Sequence, residues 1–440
     1  MVEQVWKVDD VFGVSRDVPG NYVTRESVDG KLIDSLTRSH HIVIYGSSKQ
    51  GKTCLRKNCL DPKDYITVSC QNKWGLPELH AAILKEAGYQ VRQSTSKTIS
   101  GAAKIAAVAS GGLSLPLAAK SSVEVSGEGE VGLERNVTTV SLELDPGDAN
   151  DIIRALQEVG LKQFVVLEDF HYLPEDTQRD FAFALKAFHE KSNICFIVTG
   201  VWREENRLIA YNGDLTERVY SVDVDTWNEA SLREVIAAGE ALLSVQFTDE
   251  FKARLIKECF NSVHLVQEAC RRCCRAAGVF ETQDSIVSLG DGEQAKELVK
   301  EVVDEQSGRY EGFLMNVADG FQQTDLEMPK WIVFAILAFS ITQLEDGIRL
   351  REISKRIKTH HPKKDALNNG NITQALNSIK SLQSSKGVRP IVLDYDSANR
   401  NIHVVDKGFL IWLANQDVEE LMEDLSLPEM VALPLGLNPV

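Results

Sequence analysis

The 440-residue chain contains no apolar run long enough to cross a bilayer. Its longest, Trp331 to Phe339, is under half of the roughly 20 residues that a spanning helix needs. The opening Met-Val-Glu-Gln-Val-Trp-Lys-Val-Asp-Asp also lacks a basic region followed by a hydrophobic stretch. A cytoplasmic protein with no membrane partner is therefore expected. Excess positive charge is missing too: 48 Lys and Arg against 64 Asp and Glu give a net charge of −16. This excludes attraction of the whole molecule to nucleic acid or anionic lipid and leaves room only for a local basic patch. Paired metal-ligand spacing is absent as well. Of eight cysteines, Cys270, Cys273 and Cys274 are clustered, but no second Cys or His pair lies nearby. They fall on one helical face with Val263 and Val266, so they read as reduced core thiols.

What is present is a phosphate loop. Residues Gly46 to Thr53 read Gly-Ser-Ser-Lys-Gln-Gly-Lys-Thr, after the apolar run Ile42-Val43-Ile44-Tyr45 and before a helix-compatible stretch starting at Cys54. Gly46 and Gly51 let backbone N–H groups turn inward, Lys52 can reach β- and γ-oxygens, and the Thr53 hydroxyl can ligate Mg²⁺ at a helix N-terminus. Gly46, Ser47, Ser48, Lys49, Gln50, Gly51, Lys52, Thr53 and Cys54 are thus the candidate ATP-binding residues, with Mg²⁺ as the accompanying ion.

Along the chain, residues 1–40 flank the nucleotide site, and residues 41–227 alternate strands with helices. That alternation predicts an α/β P-loop core with a parallel sheet covered on both faces. One further strand sits between the phosphate-loop strand and an acidic strand at Phe164–Leu167, which suits the additional-strand class. Residues 94–146 break the rhythm and read as an insertion, either one helix with a hairpin over 122–131 or a disordered loop. Residues 228–290 are expected to form a purely helical lid, and 291–325 a single linker helix. Three helices and a hairpin over 326–416 predict a winged helix. The acidic tail, 417–440, reads as a flexible end or docking peptide.

Hydrolysis of a γ-phosphate needs Mg²⁺ and a carboxylate to orient the attacking water, at the end of the strand beside the loop. Glu168 and Asp169 occupy that place, in reversed order, so which serves the metal and which the water stays open. Thr199 ends the next strand and can hydrogen-bond the water or the γ-phosphate.

The order of phosphate loop, acidic strand, polar strand end, lid and winged helix resembles the AAA+ ATPases of the origin-recognition initiator group and the related STAND signalling ATPases, over nearly the whole chain. The resemblance implies an adenine pocket near Tyr22, Val23 and Arg25. It also implies an arginine finger entering a neighbour's ATP site, with Arg218 as the matching residue and Arg203 and Arg207 as rivals. Where the initiators carry a sensor arginine on the lid, this chain has His264, with Arg271 and Arg272 as substitutes. Slow turnover is the implication.

Residues 347–390 hold ten Lys or Arg, from Arg349 to Arg389, against Glu352 and Asp365. Such a patch can contact DNA phosphates, with Asn371, Thr373, Gln374, Asn377 and Ser378 on the candidate recognition helix. In signalling ATPases the same unit instead packs on the nucleotide domain. The chain therefore reads first as an ATP-binding, ATP-hydrolysing switch that oligomerises or engages a partner. The alternatives are a DNA-bound initiator-like or transposition-regulator-like ATPase, and an ATP-binding scaffold serving a separate effector, for instance in antiviral defence.

Overall fold

Before the first strand, α1 (Val8–Val11) and α2 (Lys31–Leu36) bury Val8, Val11 and Leu32. Next come β1 (His41–Gly46), α3 (Lys52–Cys59), β2 (Tyr65–Ser69) and α4 (Leu76–Glu86). The computed structural model describes residues 4–13, 17–97, 103–109, 141–162 and 164–427. Every residue of β1 is buried, as an interior parallel strand demands. His41 joins that core because both ring nitrogens are used: Nε2 lies 2.9 Å from the Leu185 carbonyl and Nδ1 accepts from Phe196 N–H.

The expected insertion is built differently. β3 (Tyr89–Lys97), β4 (Ala103–Ala109) and β5 (Ser141–Leu144) form an antiparallel sheet, so its described residues are strands and no helix occurs among them. The expected hairpin at 122–131 lies outside the described residues. After α5 (Ala149–Glu158) come β6 (Phe164–Glu168), α6 (Glu175–Lys191), β7 (Phe196–Val201), the short α7 (Arg207–Tyr211) and β8 (Val219–Asp223). The main sheet runs β2-β6-β7-β1-β8 with all pairings parallel. β7 separates β1 from β6, which makes this an additional-strand, AAA+-like P-loop sheet. Thr199 sits inside β7, not at its end.

The lid contains α8 (Glu229–Leu243), α9 (Asp249–Glu258) and α10 (Val263–Ala276), but it is not purely helical. β9 (Val245–Phe247) pairs in parallel with β10 (Val287–Leu289), since Val245, Phe247 and Leu289 close its core. Cys270, Cys273 and Cys274 are buried in α10 as free thiols. The linker is two helices, α11 (Gly292–Asp304) and α12 (Ser307–Asp319). Ser307-Gly308 is a weak helix-forming pair, and Ser307 Oγ accepts from Trp412 Nε1–H at 2.7 Å.

The last unit has α13 (Met328–Leu337), α14 (Ile341–Asp346), β11 (Ile348–Arg349), α15 (Leu350–His360), α16 (Asn369–Ser385), β12 (Leu393–Asp396), β13 (Asn401–Val404), α17 (Lys407–Ala414) and α18 (Val418–Asp424). The expected opening helix is broken at Ser340, whose hydroxyl caps α14 by accepting from Gln343 N–H. A third strand, β11, joins the expected hairpin in the order β11-β13-β12. The tail is folded as far as Leu427: Asp417 caps α18, and Met422 and Leu427 are buried. One continuous apolar core runs from α1 through the lid and linker into this last unit, whereas the two faces of the main sheet have cores of their own.

Candidate nucleotide site

The phosphate loop joins the C-terminal end of β1 to α3. Gly46 has φ 143°, and a Cβ there would lie 2.7 Å from Val224 Cγ2; Gly51 has φ 89°. Both backbones are in the region that favours glycine. Lys52 Nζ donates to the carbonyls of Gly46 at 3.0 Å and Ser47 at 2.7 Å. Burial pushes its pKa down to about 8, with the negative charge of Asp225 the largest influence opposing the shift. Gln50 is completely buried, and neither polar atom of its side chain has a partner among the described residues.

Those two features fit a phosphate ligand: an ammonium held only by neutral carbonyls, and an unpartnered buried amide beside it. Thr53 is exposed at the start of α3, where its hydroxyl is available to a cation, while Cys54 is half-buried and its thiol is pushed up by burial. No cluster of three ligating side chains exists among the described residues. Mg²⁺ would therefore depend on Thr53, the acidic pair and phosphate oxygens together.

The acidic pair divides by environment. Glu168 Oε1 accepts from Arg56 Nε–H at 2.8 Å, and its Oε2 accepts from Thr199 Oγ1–H at 2.6 Å. Both of its oxygens are thus engaged. Asp169 follows in the left-handed region at φ 57°. Its carboxyl is raised above the ordinary range by burial and then by the Glu168 charge, against the pull of Lys52 and Arg389.

Around the loop, the lid contributes His264, whose Nε2 lies 3.3 Å from Lys49 Nζ. Burial, followed by the Lys49 charge, holds its pKa near 4, so the ring is neutral. Arg271 and Arg272, the possible substitutes, are committed elsewhere: Arg271 to Glu268 and Asp9, Arg272 to Glu268 and Glu305. Tyr22 donates to Asp29 at 2.6 Å, and Val23 packs against the lid core. Arg25 donates to the Val224 carbonyl and stacks 3.8 Å from the centroid of Trp227.

The three arginines considered as fingers have different fates. Arg207 is buried and paired with Glu204 and Asp394, so it is not a solvated candidate. Arg203 donates to the Glu345 carbonyl. Arg218 is partly exposed and paired with Glu190. It precedes the residue that pairs with His41 at the start of β1, so it lies at the far end of the sheet from its own phosphate loop.

Several contributors are not conspicuous in sequence. Ser48 N–H donates to the Val405 carbonyl at 2.8 Å, and Ser47 is held by Asp225. Arg309 pairs with Asp406 just beyond Val405. Arg56 alone carried a usable signal, because it lies one helical turn after Lys52 and shares its face. On the other side of the interdomain seam, a cavity of about 740 Å³ is lined by Tyr172, Glu204, Arg207, Asn377, Lys380 and Asp394. The α16 face bearing Asn377 and Lys380 therefore looks onto the core, and Arg389 stacks on Tyr172. Of the seven exposed basic residues of the suspected DNA surface, five lie on and near α15 (Arg349, Arg351, Lys355, Lys363 and Lys364), and Lys386 and Arg389 follow α16.

No protein-family model matches the chain, and no curated relative is found. Among solved structures it is similar to a Walker-type ATPase of Pyrococcus abyssi, with 13% identity over 92% of this chain and 99% of that one, at a TM-score of 0.48. It is also similar to Cdc6p from Pyrobaculum aerophilum, with 12% identity over 94% and 98% of the two chains and a TM-score of 0.40. The Aeropyrum pernix Orc1 protein in complex with DNA gives 11% identity over 96% and 98%, with a TM-score of 0.39. With each of these scores below 0.5, the fold assignment rests on the sheet order and the phosphate loop.

Proposed function

We propose that this chain is an ATP-binding and ATP-hydrolysing switch whose nucleotide occupancy sets the position of its C-terminal unit. The observation that carries the proposal is the 2.8 Å hydrogen bond from Ser48 N–H, inside the phosphate loop, to the Val405 carbonyl beyond β13. A group that binds phosphate must share its backbone donors with that segment, so occupancy and docking are coupled.

In this reading Lys52 binds the β- and γ-oxygens, and Thr53 with the acidic pair holds Mg²⁺. The ion, when bound, supplies charge neutralisation of the phosphates. Glu168, fixed by Arg56 and Thr199, positions the metal side of the site. Asp169, without such anchors, orients the attacking water and accepts its proton. Thr199 acts by fixing Glu168. His264 contributes a neutral ring in place of a charged sensor, which gives weaker charge stabilisation and slow turnover. Arg218, out of reach of its own loop, serves a neighbouring copy in a homo-oligomer. The setting is cytoplasmic.

The test is nucleotide binding and phosphate release by the full chain with Mg²⁺. Lys52→Ala should abolish binding. Asp169→Asn should retain ATP with phosphate release reduced by about 100-fold, the scale of a lost general base. Equal phosphate release by wild type and both variants would reject the enzyme.

A further inference from the structure

The segment joining β8 to the lid grips the phosphate loop at two points. Asp225 accepts from Ser47 N–H at 2.8 and 2.9 Å, and from Ser47 Oγ–H at 2.7 Å. Two residues on, Trp227 Nε1–H donates to the Gln50 carbonyl at 3.3 Å. Arg25 braces this segment from outside, through its bond to the Val224 carbonyl and its stack on Trp227. Immediately after Trp227, Asn228 caps α8, its side chain accepting from Ser231 N–H. A displacement of Asp225 is thereby carried to the first turn of the lid.

The chemistry of the grip is unusual for its place. A loop of inward-facing N–H groups and a buried lysine is built for anions. Here a carboxylate of the protein occupies one of those N–H donors and is the strongest anionic influence on Lys52. A triphosphate entering the loop places like charge beside that carboxylate while drawing Lys52 toward its own oxygens.

We infer that Asp225 is a positioning residue that reads phosphate charge: it clasps Ser47 to the root of the lid, and the phosphates of ATP loosen the clasp and free the lid segment to turn. The inference rests on the nucleotide-binding reading above and adds to it the device that couples phosphate to lid. It also makes Asp225 an antagonist of binding, because part of the affinity for ATP is spent on displacing it. A diphosphate brings less charge and loosens the clasp less, so the residue sets the preference between ATP and ADP.

The experiment is titration of the full chain with Mg-ATP and with Mg-ADP, together with hydrogen exchange over residues 225–231. Asp225→Asn retains one oxygen acceptor for Ser47 and removes the charge, with the other oxygen replaced by an NH2 group. It should tighten ATP by at least about fivefold, the low end of coupling between sites, with a smaller gain for ADP, and it should raise exchange in the lid root without ligand. Asp225→Glu, which keeps the charge, should restore the wild-type ATP to ADP ratio. Trp227→Phe removes the neutral bond from this segment to the Gln50 carbonyl and keeps the charge, so the ratio of ATP to ADP affinity should stay within about twofold of wild type. Unchanged or weakened ATP binding by Asp225→Asn, or a Trp227→Phe effect on the ratio equal to it, would overturn the clasp. Should Asp225→Asn fail to fold, Asp225→Ser removes the same charge and should likewise favour ATP over ADP, and an unchanged ratio would overturn the clasp. Wild type and Lys52→Ala binding ATP alike would instead sink the nucleotide reading itself, whatever Asp225 does.

Discussion

Arg56 shows how a residue can support a site without touching a substrate. Its guanidinium is almost buried, lies 4.6 Å from the centroid of Tyr65 and is neutralised by Glu168. Removing the Glu168 charge leaves that cation buried and unpaired, a loss typically of about 3–5 kcal/mol when one partner of a buried pair is deleted. Asp169 forms no ion pair among the described residues, and Lys52 and Arg389 act on it only at longer range. Glu168→Gln should therefore lower the melting temperature by several degrees as well as impair turnover, whereas Asp169→Asn should melt within about a degree or two of wild type. Differential scanning calorimetry of the two variants checks this, and equal melting temperatures would contradict the division of labour. The reversed Glu-Asp order gave no hint of how the surroundings of the two carboxylates would differ. The difference comes from Arg56 on α3 and Thr199 on β7, two elements that only folding brings to the same strand end.

At the scale of elements, a buried ion pair ties α7 to β12 across the seam between the core and the C-terminal unit. Arg207 donates to Asp394 at 2.8 Å with side-chain exposures of 9% and 1%, so the pair is screened from water. Burial alone would lower the Arg207 pKa, but the charges of Asp394 and Glu204 more than reverse it. Asp394→Asn should loosen the docking face. Limited proteolysis should then cut between the units at a rate several-fold above wild type, while the sheet of the core stays protected; an unaltered cleavage pattern would show that the pair is dispensable. Little of this seam was legible beforehand. The strands β1, β6, β7 and β8 announced themselves as apolar runs, and the helices of the last unit as periodic ones, because each buries a face that its own residues define. Arg207 instead read as a rival for the arginine finger, and Lys380 as one of the basic residues of the suspected DNA patch. Their burial is imposed by contacts nearly 200 residues apart in sequence. The linker break at Ser307 and the capped tail helix at Asp417 failed to show for the opposite reason: one or two weakly helix-forming or capping residues decided them against an otherwise continuous pattern.

For the whole molecule, acid sensitivity follows chiefly from histidines distributed over two of its parts, the core and the lid. His41 in β1 and His80 in α4 are both completely or nearly completely buried, with pKa values pushed down to about 4 by desolvation. His171, after β6, is shifted downward for the same reason, and His264 in the lid is also held near 4. In each case the folded chain keeps a neutral ring that the unfolded chain protonates below about 6.5. The unfolded state thus binds more protons across that window, and stability present above pH 6.5 is lost as the pH falls toward 4. Glu204 works in the other direction: burial raises its pKa to about 8, so lowering the pH favours its folded, protonated form. Asp169 and Asp223 are raised by burial in the same way, and His189 and His403 are lowered like the other four, so three carboxyls stand against six imidazoles. Melting temperature should accordingly be nearly flat from pH 8 to 7 and then fall steeply between pH 6.5 and 5, the core and lid losing stability together. A calorimetric series across that range tests the sign, and a melting temperature that rises on acidification would show that the carboxyl groups dominate. His41→Asn separates the contributions: with the residue's hydrogen-bond partners at Leu185 and Phe196 partly retained, the variant should be less stable at pH 8 yet show a shallower decline below 6.5.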